Sequence, residues 1–369
     1  MDADRRRLLQ LLTATCAVCP LAAAGILRAE DGDGAVAAEF WSEAGEQKVT
    51  CALCPRKCTV ADLERGTCGV RENRGGKYYT LVHSSVCAMN NDPIEKKPLF
   101  HFRPGSMAFS IATAGCNMEC RFCQNWEISQ FRPEQVTSRR LTPAEVVAEA
   151  GQAGSRAIAF TYSEPVVAWE YVRDVCAAAQ DTGIGRVMIS NGYIEKEPMR
   201  RLLPLLDAVK IDFKAFSESF YRELCSARLR PVLDTLRTIR ASGVWLEIVV
   251  LLIPTLNDDR REIRAMCRWI VQELGPSVPV HFTRFHPSYK LVNLPPTPVN
   301  TLEAARQIAK EQGIRHAYAG NVPGHPAEDT ICHACGHTLI KRYGFQIRFN
   351  RMRDGTCPSC GEPVAGVWN

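Results

Sequence analysis

The sequence predicts an α/β fold: a partial (β/α)6 TIM-type barrel with an N-terminal cysteine-rich segment and a C-terminal zinc ribbon. Three observations predict it. Strand-like and helix-like runs alternate from residue 107 to residue 320, the pattern of parallel strands joined by crossover helices. Polar residues follow the ends of successive strands, which a barrel brings together on one rim. Cysteines cluster tightly before, within and after this region, as metal ligands do.

The elements run in order. "MAFSIATAG" (107–115) reads as the first strand of the repeat, and "LTPAEVVAEAGQAG" (141–154) as a helix. Thr142 is its N-cap, Pro143 opens it, Glu145 completes a capping box and Gly154 closes it. "RAIAFTYS" (156–163) is a strand and 165–183 a helix ending at Gly183. Strand 186–192 precedes a short helix over 195–206. Strand 208–215 precedes two helical runs between Glu218 and Ala241. Strand 244–254 leads to helix 258–274, strand 279–288 to helix 301–313, and "HAYAG" (316–320) ends the repeat. Ser163 and Glu164 follow the second strand, Asn191 the third, Asp212 and Lys214 end the fourth, Pro254 and Asn257 follow the fifth and His286 ends the sixth. An incomplete barrel would leave a side open to a large substrate.

The chain divides into 1–40 (leader and linker), 41–106 (cysteine-rich segment), 107–325 (barrel) and 326–369 (tail). It has 369 residues, 46% of them apolar, enough for a sizeable core. A net charge of +5 is too mild to imply nucleic acid. Tail arginines Arg348, Arg351 and Arg353 read as a solvated face or a protein dock, with nucleic-acid contact as the lesser alternative. "DRRRLLQLLTATCAVCPLAAAGILRAE" resembles a twin-arginine export signal, with small residues suited to cleavage near Ala35–Ala37. The other readings are an uncleaved membrane-adjacent helix or an inert leader. Residues 30–47 read as a linker.

Seventeen cysteines is a high count. Cys176, Cys225 and Cys267 stand alone in helix-like runs and read as small buried apolar groups. "GCNMECRFCQNW" (115–126) places Cys116, Cys120 and Cys123 within eight residues. Three thiolates cannot close a tetrahedral zinc site, but they hold three corners of a [4Fe-4S] cubane and leave one iron open. An open iron chelates an amine and a carboxylate. The alternative is zinc completed by a remote residue such as His101. Cys51, Cys54, Cys58 and Cys68 suit zinc or a second iron–sulfur cluster equally, with a metal-free reading also open. Cys332, Cys335, Cys357 and Cys360 form two C-x2-C-G pairs and read as a closed zinc ribbon, with a rubredoxin-like iron site as the rival.

The C-x3-C-x2-C loop after the first strand, ahead of a chain of βα units, is similar to the radical S-adenosylmethionine (SAM) superfamily. The resemblance implies a [4Fe-4S] cluster whose open iron binds SAM, one-electron cleavage of the sulfonium, and a 5′-deoxyadenosyl radical that takes hydrogen from a protein residue or a small molecule. It implies that Glu164 in "YSEP" (162–165) accepts from the SAM ammonium, although Tyr162 and Ser163 replace the family's glycines. It implies cofactor contacts from Ser163, Asn191 and His286, and places Asp212 and Lys214 of "KIDFKAF" (210–216) facing SAM or the active site. "CALCPRKCTVADLERGTCGVREN" with "SSVCAMNNDPIEKKPLFHFRPGS" resembles the radical SAM component of the AmmeMemoRadiSam system, related to pyruvate formate-lyase activating enzymes. That resemblance implies Memo-like and AMMECR-type partners and a low-potential electron donor, and leaves the substrate open. Lys96, Lys97 and His101 would line the substrate mouth or lie on a solvated loop. A non-catalytic electron-transfer or docking protein is the alternative. SAM and low-potential electrons point to the cytoplasm, against export or membrane association through residues 5–29.

Overall fold

The computed structural model describes residues 34–369, so the leader reading and Cys16 and Cys19 lie outside the described residues. Its centre is one eight-stranded sheet. The strands are β1 (Ala88–Pro93), β2 (Met107–Ala112), β3 (Ala157–Phe160) and β4 (Gly185–Ser190), then β5 (Ala208–Asp212), β6 (Trp245–Leu252), β7 (Val280–Arg284) and β8 (Ala317–Gly320). They lie side by side in chain order, with β2 to β8 parallel and β1 antiparallel to β2. No pairing joins β1 to β8, so the sheet stays open.

The crossover helices are α1 (Pro143–Gln152), α2 (Trp169–Ala178), α3 (Lys196–Leu202), α4 (Glu218–Cys225), α5 (Leu229–Ser242), α6 (Arg260–Leu274) and α7 (Val299–Glu311). The expected capping box holds α1: Thr142 Oγ1 accepts from Glu145 N at 3.3 Å, and Glu145 Oε2 accepts from Thr142 N at 2.7 Å. Ser217 and Asp259 are N-caps of α4 and α6, accepting from Phe220 N and from Arg261 N and Glu262 N. The helix expected over 165–183 is shorter, a 3-10 turn at Pro165–Ala168 followed by α2. Strand residues such as Ile158, Met188, Val209 and Ile248 are fully buried under the helices.

Two differences from expectation have local causes. All seven strands read from the sequence form, and β1 adds an antiparallel edge that the sequence hides: "AMNNDP" is polar, and its proline is tolerated at an edge. The supposed linker is structured from residue 36. Val36–Ala37 pairs with Lys77–Thr80, and Trp41–Glu43 with Val49–Cys51. Strands of two or three residues are too short to carry a period.

The strand beginnings are sealed. Small residues on one face of the sheet (Ala108, Ala157, Ala159) leave room for Leu99 and Phe102 to fill the base at the strand beginnings. The tail covers that base with three antiparallel strands, β9 (Thr330–Ile331), β10 (Thr338–Tyr343) and β11 (Gln346–Asn350). Arg342, fully buried, donates to the carbonyls of Phe100 and Glu328 and lies 4.1 Å over the Phe100 ring. His101 bonds Tyr318 Oη at 2.6 Å and the Ala365 carbonyl at 2.7 Å. His101 therefore belongs to the base and is neither a ligand for the Cys116 loop nor part of a substrate mouth.

Candidate functional site

The Cys116 loop leaves β2 at its C-terminal end. Gly115 has φ +95°, and a Cβ there would come within 2.5 Å of Val70 Cγ1 and 2.8 Å of the Cys68 carbonyl. Only glycine lets the loop turn against the N-terminal segment. The loop is braced on three sides. Glu119 N and Arg121 N donate to the carbonyls of Cys225 and Leu224, and Lys290 N donates to the Arg121 carbonyl. Phe122 is buried 5.8 Å from the Phe220 ring, giving the expected apolar cover.

The thiols already receive hydrogen bonds of the kind that stabilise cluster sulfurs. Cys116 Sγ accepts from Met118 N at 3.4 Å and Asn191 Nδ2 at 3.7 Å, and Cys123 Sγ lies 3.2 Å from Ser129 Oγ. Burial pushes the Cys116 thiol well up, with Glu164 adding to it, whereas a hydrogen bond with Cys225 pulls Cys120 down. Cys225 is thus a neighbour of the Cys120 thiol and not merely a small apolar group. Among the described residues, only the tail cysteines bring three or more ligand atoms within 4.8 Å of one another. The loop cysteines are spaced more widely than one ion requires, which fits a cluster with iron at each corner.

Glu164 is 2% exposed at the end of β3. Its carboxylate accepts from Ser190 Oγ at 2.7 Å, Asn191 N at 2.8 Å and Val166 N at 3.1 Å. Burial pushes its carboxyl up to about 7 against the pull of those donors. Three bonds leave about one acceptor position free on a carboxylate. Asn191 has both amide hydrogens engaged and one of the two acceptor positions on Oδ1 filled. Its amide donates to Asn117 Oδ1 at 2.9 Å as well as to Cys116, and its Oδ1 accepts from Tyr193 N at 2.8 Å. Asn191 therefore braces the cysteine loop against β4. Ser163 spends its hydroxyl on the Thr113 carbonyl at 2.6 Å.

Tyr162 stands where the resembled motif has glycine and keeps the glycine-like backbone, at φ +66°. Its side chain explains the tolerance. Tyr162 Oη donates to Asp92 Oδ2, and Lys97 Nζ lies 4.6 Å from the ring. Lys97 is buried rather than solvated, 2.6 Å from Asp92 Oδ2, and burial lowers its ammonium to about 8. Burial also pushes Asp92 up, but hydrogen bonds from Lys97, Tyr162 and Lys96 hold its carboxyl well below the usual range.

Asp212 sits between two cations, Lys210 Nζ and Lys214 Nζ, the latter 3.3 Å away. Burial raises its carboxyl, yet Lys210 and Lys214 outweigh it and hold it at about 2. Asn257 ties this strand end to the next by donating to the carbonyls of Lys214 and Leu251. His286 is exposed on the loop after β7, whose Ser288 Oγ lies 3.3 Å from the Cys123 carbonyl. The structure thus joins Cys116, Asn191 and Glu164 in one bonded chain and leaves His286 at the rim. Sequence reasoning missed Asp92 and Lys210. An acid four and five residues before adjacent lysines was the signal available for Asp92.

In the tail, Cys332 and Cys360 Sγ lie 3.7 Å apart, as do Cys335 and Cys357 Sγ, and all four fall within 4.8 Å. Sulfurs around one tetrahedral ion with bonds near 2.3 Å stand about 3.8 Å apart. The group can bind a metal such as zinc. It lies at the strand beginnings and the Cys116 loop at the strand ends, so five to eight strand residues separate them by roughly 20 Å. No helix among the described residues is long and apolar enough to cross a membrane.

The radical SAM superfamily profile matches residues 110–267. An uncharacterized protein of Methanocaldococcus jannaschii is 44% identical over 329 residues, covering 89% of this chain and 98% of that protein. The pyruvate formate-lyase 1-activating enzyme of Escherichia coli K12 is 22% identical over 226 residues, 54% of this chain and 87% of that enzyme. A solved radical SAM methyltransferase from Sphaerobacter thermophilus aligns over 59% of this chain and 67% of its own, at 18% identity and TM-score 0.48. A radical SAM domain implies SAM and a [4Fe-4S] cluster, and the cysteine spacing and sulfur hydrogen bonds fit both. Residues 110–267 of this chain thus form a radical SAM domain.

Proposed function

We propose that the protein reductively cleaves SAM and uses the product to abstract hydrogen from a substrate held inside the open barrel. The observation that carries the reading is the bonded chain from Glu164 through Asn191 to Cys116 Sγ, which couples a buried acid to a three-thiolate loop. When bound, the cluster and SAM supply a 5′-deoxyadenosyl radical at the cost of one electron from a low-potential donor. Cys116, Cys120 and Cys123 would hold the cluster.

Glu164, buried and with one acceptor position to spare, offers its charge to a cation such as the SAM ammonium. Asn191 and Gly115 position the loop. Lys210, Asp212, Lys214, Asp92, Lys97 and Tyr162 line the polar interior. Lys97, Lys210 and Lys214 stand there against Asp92, Asp212 and Glu164, so the lysines are paired within the site and offer cations to a carboxylate or another anion only in exchange for those partners.

Hydrogen abstraction from a protein glycine, as an activase does, is one version of this activity. The likeness of the 48–106 segment to AmmeMemoRadiSam components supports Memo-like and AMMECR-type partners. The separation of the tail from the Cys116 loop argues for a structural tail metal rather than an electron relay. The test is anaerobic assembly with iron and sulfide, then dithionite and SAM, with 5′-deoxyadenosine measured. Wild type forms it and Glu164→Ala does not. A fully assembled cluster that leaves SAM intact overturns the proposal.

A further inference from the structure

The N-terminal cysteines are the largest chemical feature that this reading leaves unused. Cys51, Cys54, Cys58 and Cys68 all line one cavity, together with Arg56, Arg71 and Tyr78. Their sulfurs are not gathered within 4.8 Å as the tail sulfurs are. A single zinc needs sulfurs about 3.8 Å apart, whereas a cluster holds them further out. Gly66 keeps part of this space clear: a Cβ there would lie 3.6 Å from Cys58 Sγ and 3.1 Å from Tyr78 Oη.

The cavity is also short of hydrogen-bond acceptors. Of the eight buried side-chain polar atoms without a partner among the described residues, three belong to residues lining it. They are Arg56 Nη2 and Arg71 Nε, both donors, and Tyr78 Oη, whose hydroxyl is directed at the Cys51 thiol. Arg71 and Tyr78 are 1% and 2% exposed, so these donors point into the interior and not to bulk solvent. Buried donors left unpaired cost about 1–3 kcal/mol each, and thiolate-bound anionic sulfur would accept from them.

We infer that Cys51, Cys54, Cys58 and Cys68 hold an iron–sulfur cluster of their own, distinct from the one at Cys116. Its cavity adjoins the first site through Asn117, which lines the cavity and bonds Asn191 beside Cys116 Sγ. The Cys68 carbonyl packs directly against Gly115. The inference rests on these residues and not on SAM cleavage.

The test is acid-labile sulfide and 57Fe Mössbauer spectroscopy of the full chain carrying Cys116→Ala, Cys120→Ala and Cys123→Ala, assembled anaerobically. The expected result is labile sulfide at about two to four per chain, depending on cluster type. That sulfide disappears when Cys51→Ala and Cys68→Ala are added. A triple variant without labile sulfide, or with zinc in its place, overturns the inference. Should the triple variant misfold, wild type decides: sulfide well above the roughly four of one cubane supports the second cluster, and no excess sinks it. Failure of the Cys116 site is read separately, as no loss of sulfide between wild type and the triple variant.

Discussion

Glu170→Gln removes one charge from the pair that ties the N-terminal segment to the barrel. Arg71 and Glu170 have side chains only 1% exposed each. The guanidinium donates to Glu170 Oε2 at 2.9 Å and Oε1 at 2.8 Å, and Oε1 also accepts from Glu39 N at 2.7 Å. The glutamine would keep Oε1 and its two donors but turn an NH2 group toward Arg71 Nη1, donor against donor. The guanidinium stays buried with its countercharge gone. Breaking a buried pair in this way costs about 3–5 kcal/mol, roughly a hundred- to several-thousandfold in the folded-to-unfolded ratio. Urea unfolding of the metal-free protein, followed by tryptophan fluorescence, measures it. The double variant Arg71→Met/Glu170→Leu should recover most of the loss, because it leaves no orphaned charge. A loss below about 1 kcal/mol for the single variant, the scale of an exposed pair, would refute the reasoning.

Three further outcomes follow from the geometry. Gly115→Ala should cost at least about 1–3 kcal/mol through its backbone strain alone and lower iron bound at Cys116, read by unfolding and iron content; a stable, cluster-loaded variant would contradict the close approach of Val70. The stability that Lys210 and Lys214 give Asp212 is fully present above its ordinary value of 3.8 and lost as pH falls through about 2, because the folded carboxyl releases its proton more readily than the unfolded one. Acid titration of Asp212→Asn should therefore lack the part of the wild-type slope lying between those values. Stripping the tail metal with a chelator, or Cys335→Ser, should expose residues 326–369 to protease while iron at the Cys116 loop stays bound; parallel loss of both would contradict their placement at opposite ends of the strands.

Much of this architecture is legible in local sequence. Thr142, Pro143 and Glu145 announce α1 because capping is a contact between residues three apart. The parallel strands announce themselves because burial on both faces leaves apolar runs such as "AIAF". The cysteine spacing that identifies the Cys116 loop is local as well. What stays hidden depends on contacts between distant residues. Arg71 meets Glu170 across 99 positions, and Arg342 meets Phe100 across 242. Nothing near Tyr162 in sequence shows that Asp92 and Lys97 will hold it at a positive φ. Asn191 is correctly placed at a strand end, but its role as a brace follows only once its amide is seen to bond Cys116, Asn117 and Tyr193.

The central claim is that Cys116, Cys120 and Cys123 leave one iron without a protein ligand, next to Glu164. Mössbauer spectroscopy of 57Fe-labelled protein, with and without SAM, tests it most directly. The account predicts that one iron of the Cys116 cluster changes its isomer shift and quadrupole splitting when SAM is added, and that Glu164→Ala weakens the response. Spectra in which every iron carries a protein sulfur ligand and none responds to SAM would contradict it.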